Sequence, residues 1–157
     1  MVLKARAKIS RAQGAAILSG RIPRADRFTP DLIARICEFS ALTERAHARP
    51  VLRVRYLREA YESTGPDQVR ITFDTHLRHA VTPVYEVSHD GPGWCATPVT
   101  GTILEIKFTQ TFPSWVATLI RTFDLQKRSV AKYCLSMICA VNEGRYHDPI
   151  VARMRSH

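Results

Sequence analysis

Acidic residues are scarce in this sequence: 14 Asp and Glu stand against 23 Lys and Arg, a formal net charge of +9. That excess disfavours a cationic partner and points to a polyanion such as nucleic acid, nucleotide, polyphosphate or an anionic membrane. No run of five or six like charges occurs, which excludes a disordered basic tail and mounts the cations on folded elements. The cysteines, Cys37, Cys95, Cys134 and Cys139, form no CxxC pair, and the histidines do not cluster around them. A zinc site is therefore not expected; reduced, mostly buried thiols in a cytosolic setting are. Long apolar runs are missing too. The most apolar late stretch, Tyr133–Val141, is too short to span a bilayer. The opening residues lack the apolar core and cleavage site of a secretory signal. The expectation is a soluble, cytoplasmic protein of 157 residues, one domain or a piece of one, without repeats or low-complexity segments.

What is present centres on Gly101–Phe108, GTILEIKF. At the strand period of two, Ile103, Glu105 and Lys107 share one face, and Leu104, Ile106 and Phe108 share the other. The second face is apolar and needs a packing partner. The first puts an acid beside a base in a run otherwise fit for burial, an arrangement suited to a polar cavity or to solvent. Two earlier runs repeat the arrangement. In Gln68–Thr75, Arg70, Thr72 and Asp74 oppose Val69, Ile71 and Phe73. In Val51–Tyr61, Tyr56 and Arg58 share a face with Leu52, Val54 and Ala60, while Arg53 and Arg55 lie opposite as solvated or partner-facing residues. If the three runs are neighbours, their polar faces make one basic surface around a single carboxylate, Glu105.

Around this centre the order is strand, two helices, antiparallel strands, two helices. VLKARAKIS alternates as a strand over Val2–Ile9, with Val2, Lys4, Arg6 and Lys8 on one face. Ser10–Gly20 reads as an Ala-rich helix capped by Ser10 and stopped at Gly20. Thr29-Pro30 opens a helix over Asp31–Leu42, with Leu32, Ile33, Ile36, Cys37 and Phe39 turned inward. A further strand is expected over Ala80–Val87, and Gly91–Gly93 marks a loop tip. Phe112-Pro113 opens a helix to about Phe123 that buries Trp115, Val116, Leu119 and Ile120. A last helix over Ser129–Val141 buries Val130, Tyr133, Cys134, Met137 and Ile138. The fold class is α+β.

Several segments together resemble the VTC domain, the polyphosphate polymerase branch of the triphosphate tunnel metalloenzymes. They are PVLRVRYLREAY at Pro50–Tyr61, QVRITFD at Gln68–Asp74, ILEIKF at Ile103–Phe108, the Phe-Pro-Ser-Trp start at Phe112–Trp115 and SVAKYC at Ser129–Cys134. The resemblance is clearest over residues 50–140 within a partial domain of residues 1–142, followed by a polar tail, 143–157. It implies an antiparallel sheet forming part of a tunnel-like β-barrel lined with Lys and Arg, with helices packed outside. It also implies transfer of phosphoryl groups from a nucleoside triphosphate to polyphosphate, with Mn²⁺ or Mg²⁺ as the cofactor.

Carried over residue by residue, the resemblance makes Tyr56, Arg58, Arg70, Lys107 and Lys132 phosphate contacts, with Lys4 and Arg6 as further candidates, and Glu105 the metal ligand. Phosphoryl transfer asks the protein for positioning and charge neutralisation, which Arg and Lys supply. The chain departs from the family pattern at Ala131, where serine is common. It also lacks the Glu-x-Glu-x-Lys and Arg-x-Arg strands of the family's first half, so only the C-terminal half is expected: either the sequence is a fragment or the product of a truncated reading frame, or a second chain supplies the missing half of the tunnel. The alternative is a basic module binding polyphosphate, inositol phosphates or nucleic acid without chemistry. Nucleic acid is disfavoured because few aromatics alternate with the cations, and an intact triphosphatase is disfavoured by the missing Glu-rich strand.

Overall fold

The computed structural model describes residues 6–21, 28–64, 68–85, 88–109 and 112–147. These residues divide into two compact units, one drawn from Met1–Arg53 and Thr82–Asp90, the other from Val54–Val81 and Gly91–His157.

The first unit carries two helices. α1 (Arg11–Leu18) opens on a capping box, in which Ser10 Oγ accepts from the Gln13 amide at 3.2 Å and Gln13 Oε1 accepts from the Ser10 amide at 2.7 Å. It ends before Gly20, whose φ of 76° suits a residue without a Cβ. α2 (Pro30–Arg45) begins with Pro30 at its first position, and Thr29 Oγ1 accepts from the Leu32 amide. Asp31 and Arg45 complement the dipole at the two ends. Ile17 and Ile36 are the buried contacts of the pair. Gly14 allows a close approach: a Cβ there would stand 2.5 Å from the Tyr85 hydroxyl oxygen.

Three expectations for this unit need correction. Residues 6–9 are irregular and exposed, not strand, because the capping box commits the chain to a helix immediately afterwards; Val2–Ala5 lie outside the described residues. Cys37 and Phe39 are exposed on α2, which buries a narrower stripe around Ile36. The strand expected over Ala80–Val87 is absent from the described part of that run: Ala80 and Val81 close a longer strand, Thr82–Tyr85 are irregular, and residues 86–87 lie outside the description.

The sheet is built from β1 (Leu52–Glu62), β2 (Val69–Val81), β3 (Cys95–Ala96) and β4 (Ile103–Phe108), with β2 between β1 and β3 and also paired with β4. β2 runs antiparallel to both β3 and β4. In the β2–β4 register Arg70 faces Lys107, Thr72 faces Glu105 and Asp74 faces Ile103. The two polar faces read from the sequence are thus one face. As described, the sheet is open and does not close into a barrel; four strands are too few to wrap around a lumen.

His76 interrupts β2 with a φ of 52°, a left-handed value uncommon outside glycine. In the middle of the strand the buried positions pass from Thr72 and Asp74 before it to Leu77 and His79 after it, a change of parity such as a bulge produces, while Val69 and Ala80 toward the strand ends are buried as well. The opposite face of the sheet keeps large apolar groups partly exposed. Tyr61 meets Phe73 edge-on at 6.0 Å, and Phe108 meets Phe112 at 5.2 Å.

Two helices complete this unit. α3 (Ser114–Thr122) buries Val116 fully, whereas Trp115 is about half exposed. α4 (Lys132–Asn142) starts three residues later than expected and buries Ser136 and Ala140 against β2. The apolar stripe expected to face inward is turned away, with Tyr133, Cys134 and Ile138 exposed. The four cysteines are free, but Cys37 and Cys134 are exposed and the other two half-buried, so they are less enclosed than expected. No helix among the described residues is long and apolar enough to cross a membrane.

Candidate functional site

The polar face of β1, β2 and β4, together with the start of α4, gathers five of the sequence-derived candidates around two carboxylates. Asp74, on β2, has a side chain only 1% exposed. Arg58, on β1, grips it in bidentate fashion: Nε donates to Oδ1 at 2.6 Å and Nη2 to Oδ2 at 2.7 Å. Lys132, the first residue of α4, reaches Oδ2 at 2.8 Å. Such short, charge-assisted contacts are the strong kind. They hold the Asp74 carboxyl below its ordinary range, Arg58 contributing most, with burial opposing and Lys132 adding to the effect. The same bond to Asp74 raises the Arg58 guanidinium.

Glu105, on β4, is in a more open position. Its side chain is 38% exposed, paired with Lys107 Nζ at 2.8 Å and approached by Arg58 Nη2 at 3.6 Å. Lys107 is the main cause of its lowered carboxyl, again against burial. The Tyr56 ring lies under both cations of the first cluster, 5.0 Å from Arg58 Cζ and 5.2 Å from Lys132 Nζ. Arg70 stands further out, half exposed, with Glu62 Oε1 at 3.4 Å. Four cations, Arg58, Arg70, Lys107 and Lys132, thus meet three carboxylates, Asp74, Glu105 and Glu62.

Two sequence candidates are not brought into this cluster. Arg6 belongs to the first unit, on exposed irregular backbone, and Lys4 lies outside the described residues. On the other face of β1, Arg55 stacks over the Trp94 ring at 4.3 Å and Arg53 donates to the Ser88 carbonyl, so neither is simply solvated.

Asp74 is the residue that sequence reasoning missed, since Glu105 was taken as the only carboxylate of the surface. The sequence placed Asp74 on the polar face with Arg70 and Thr72 but not its partner: only the strand pairing, which closes where the Ser63 amide donates to the Val69 carbonyl, brings Asp74 to Arg58 five residues along each strand. Thr72 is a second omission: its hydroxyl is buried without a partner, on the same face and opposite Glu105.

The donor set limits how a divalent cation could sit here. No group of three His, Cys, Asp or Glu side chains capable of caging a metal exists among the described residues. Both Asp74 oxygens are occupied by Arg58 and Lys132. Glu105, 38% exposed and paired with Lys107 and Arg58, is the more open of the two carboxylates.

The family model of the VTC domain matches residues 2–141, and the chain belongs to that polyphosphate-related family. No curated protein matches the chain.

Proposed function

We propose that the basic face of β1, β2 and β4 binds linear polyphosphate or the triphosphate of a nucleoside triphosphate, and that it forms one wall of a phosphoryl-transfer site. The observation that carries this reading is the convergence of Arg58, Lys107, Lys132 and the Tyr56 ring on one face around Asp74 and Glu105. Phosphate oxygens would replace carboxylate oxygens as partners of Lys107 and of the outer edge of Arg58, while Asp74 keeps the Arg58 and Lys132 side chains extended and aimed. Arg58 offers a planar fork for two oxygens, and Lys107 a mobile point charge. Arg70, further along β2, extends the cationic track. Glu105 would hold Mn²⁺ or Mg²⁺, which when bound neutralises charge on the phosphates. Further polypeptide, in a longer chain or a second one, would complete the enclosure around this open sheet.

A second reading is binding without chemistry, to polyphosphate or inositol phosphates. It is favoured by the near balance of four cations and three carboxylates, an arrangement that suits anion exchange by itself. Nucleic acid fits less well: the exposed aromatics Tyr61, Phe73 and Phe108 lie on the opposite face from the clustered cations.

Calorimetric titration of tripolyphosphate, with and without Mn²⁺, tests the proposal. Lys107→Ala should weaken binding about fivefold or more, the loss of roughly one charge-assisted contact. Unchanged affinity in Lys107→Ala and in Arg70→Ala would remove the site from this face.

A further inference from the structure

Hydrophobicity alone would turn α4 the other way. Tyr133, Met137 and Ile138 form its apolar stripe, yet Tyr133 and Ile138 are about half exposed, and the face against β2 is Lys132, Ser136 and Ala140. These three recur every four residues and form one stripe along the helix. Two polar contacts account for the choice. Lys132 meets Asp74, and Ser136 Oγ lies 3.1 Å from Thr97 Oγ1. Thr97 is in turn 2.8 Å from His79 Nδ1.

All three members of this chain are closed to water, with His79 and Ser136 at 0% exposure and Thr97 at 4%. A buried hydroxyl that loses its partner is costly, so the chain resists sliding or rotation of the helix. Its far end is fixed to the sheet. His79 pairs with Cys95 in the β2–β3 register, and the Thr97 amide donates to the Leu77 carbonyl at 2.9 Å. The charged groups facing His79 are Glu143, whose carboxylate is 3.9 Å from Nε2, and Arg145, which pairs with Glu143.

We propose that the buried relay His79–Thr97–Ser136 is a positioning device that sets the rotation of α4 and thereby holds Lys132 on Asp74. Ser136 and Lys132 lie on one stripe, so a rotation that takes Ser136 off Thr97 also takes Lys132 off Asp74. The relay acts through Lys132 and touches no ligand.

The Asp74 carboxyl reports the outcome directly and needs no ligand, because Lys132 helps to keep its titration low. Carbon-detected NMR of the full chain should show the Asp74 titration moving up toward the ordinary carboxylate range in Thr97→Val, a near-isosteric loss of the hydroxyl. Thr97→Ser should restore it. In a Lys132→Ala background, Thr97→Val should add nothing further, the signature of one pathway. An unmoved titration in Thr97→Val, or an equal rise in the Lys132→Ala background, overturns the proposal. Should Thr97→Val fail to fold, Ser136→Ala removes the last link of the relay alone and is judged by the same two outcomes.

A second arm rests on the proposed function: Thr97→Val should weaken tripolyphosphate binding about fivefold, and Lys132→Ala should abolish the difference. No binding by the wild-type chain would defeat the functional reading, and the Asp74 titration would still decide the relay.

Discussion

Asp74 and Glu105 sit on the same face of the same sheet and share Arg58, yet they are opposites. Asp74 is sealed at 1% exposure between Arg58 and Lys132, while Glu105 is 38% exposed beside the exposed end of Lys107. The difference divides the labour of the face. A sealed carboxylate between two cations organises the scaffold, because breaking it leaves buried charge uncompensated. An open one can change partners at little cost, since exposed pairs contribute little. On the function proposed above, the Asp74 half would aim the cations and the Glu105 half would be where an anion or a metal–phosphate enters.

The sharpest way to break this comparison is Asp74→Asn. It should destabilise the fold by about 3 kcal/mol, because Arg58 and Lys132 lose their common counter-charge; denaturant unfolding measures it. A loss below about 1 kcal/mol, the level of a surface pair, would make the two halves alike.

The pH dependence follows from the lowered Asp74 carboxyl. A group depressed in the folded state adds stability that is fully present above its unfolded value. That stability is lost as pH falls through the folded one. Wild-type stability should therefore fall below the ordinary carboxylate value of 3.8, and Asp74→Asn should flatten that limb of a pH–stability profile.

Glu105→Gln should act in the opposite sense on function and hardly at all on stability. Its melting curve should stay close to wild type, within about 1 kcal/mol. Metal-free tripolyphosphate should bind more tightly once the carboxylate repulsion is gone, and strengthening by Mn²⁺ should disappear. Retained Mn²⁺ dependence would take the metal away from Glu105.

The smallest effect belongs to Arg70→Ala. Its half-exposed pair with Glu62 should be worth at most about 0.5 kcal/mol to stability. Any loss of tripolyphosphate affinity should shrink as salt is raised, as screening of an exposed cation requires.

The β2–β4 face was readable because strand alternation is rigid. Once Glu105 and Lys107 were placed on one face with Arg70 and Thr72 on another strand, antiparallel pairing needed only the right register to join them. The capping residues Ser10 and Thr29 were readable for a similar reason: their hydrogen bonds are local. The rotation of α4 was not, because the stripe of Tyr133, Met137 and Ile138 is the stronger hydrophobic signal and only the sheet reveals partners for Lys132 and Ser136. The parity change at His76 was equally hidden, since it depends on a left-handed backbone at a residue that adopts other conformations freely.

By itself, then, the sequence determined the local matters: which residues alternate, where helices are capped, how much positive charge the chain carries, and the family pattern those runs compose. Tertiary structure alone decided that Asp74 is the buried partner of Arg58 and Lys132, and that polar groups set the face α4 buries. The physical reason is range. Periodicity and capping are settled within a few residues, whereas the energy of a buried charge depends on which distant cations arrive to neutralise it.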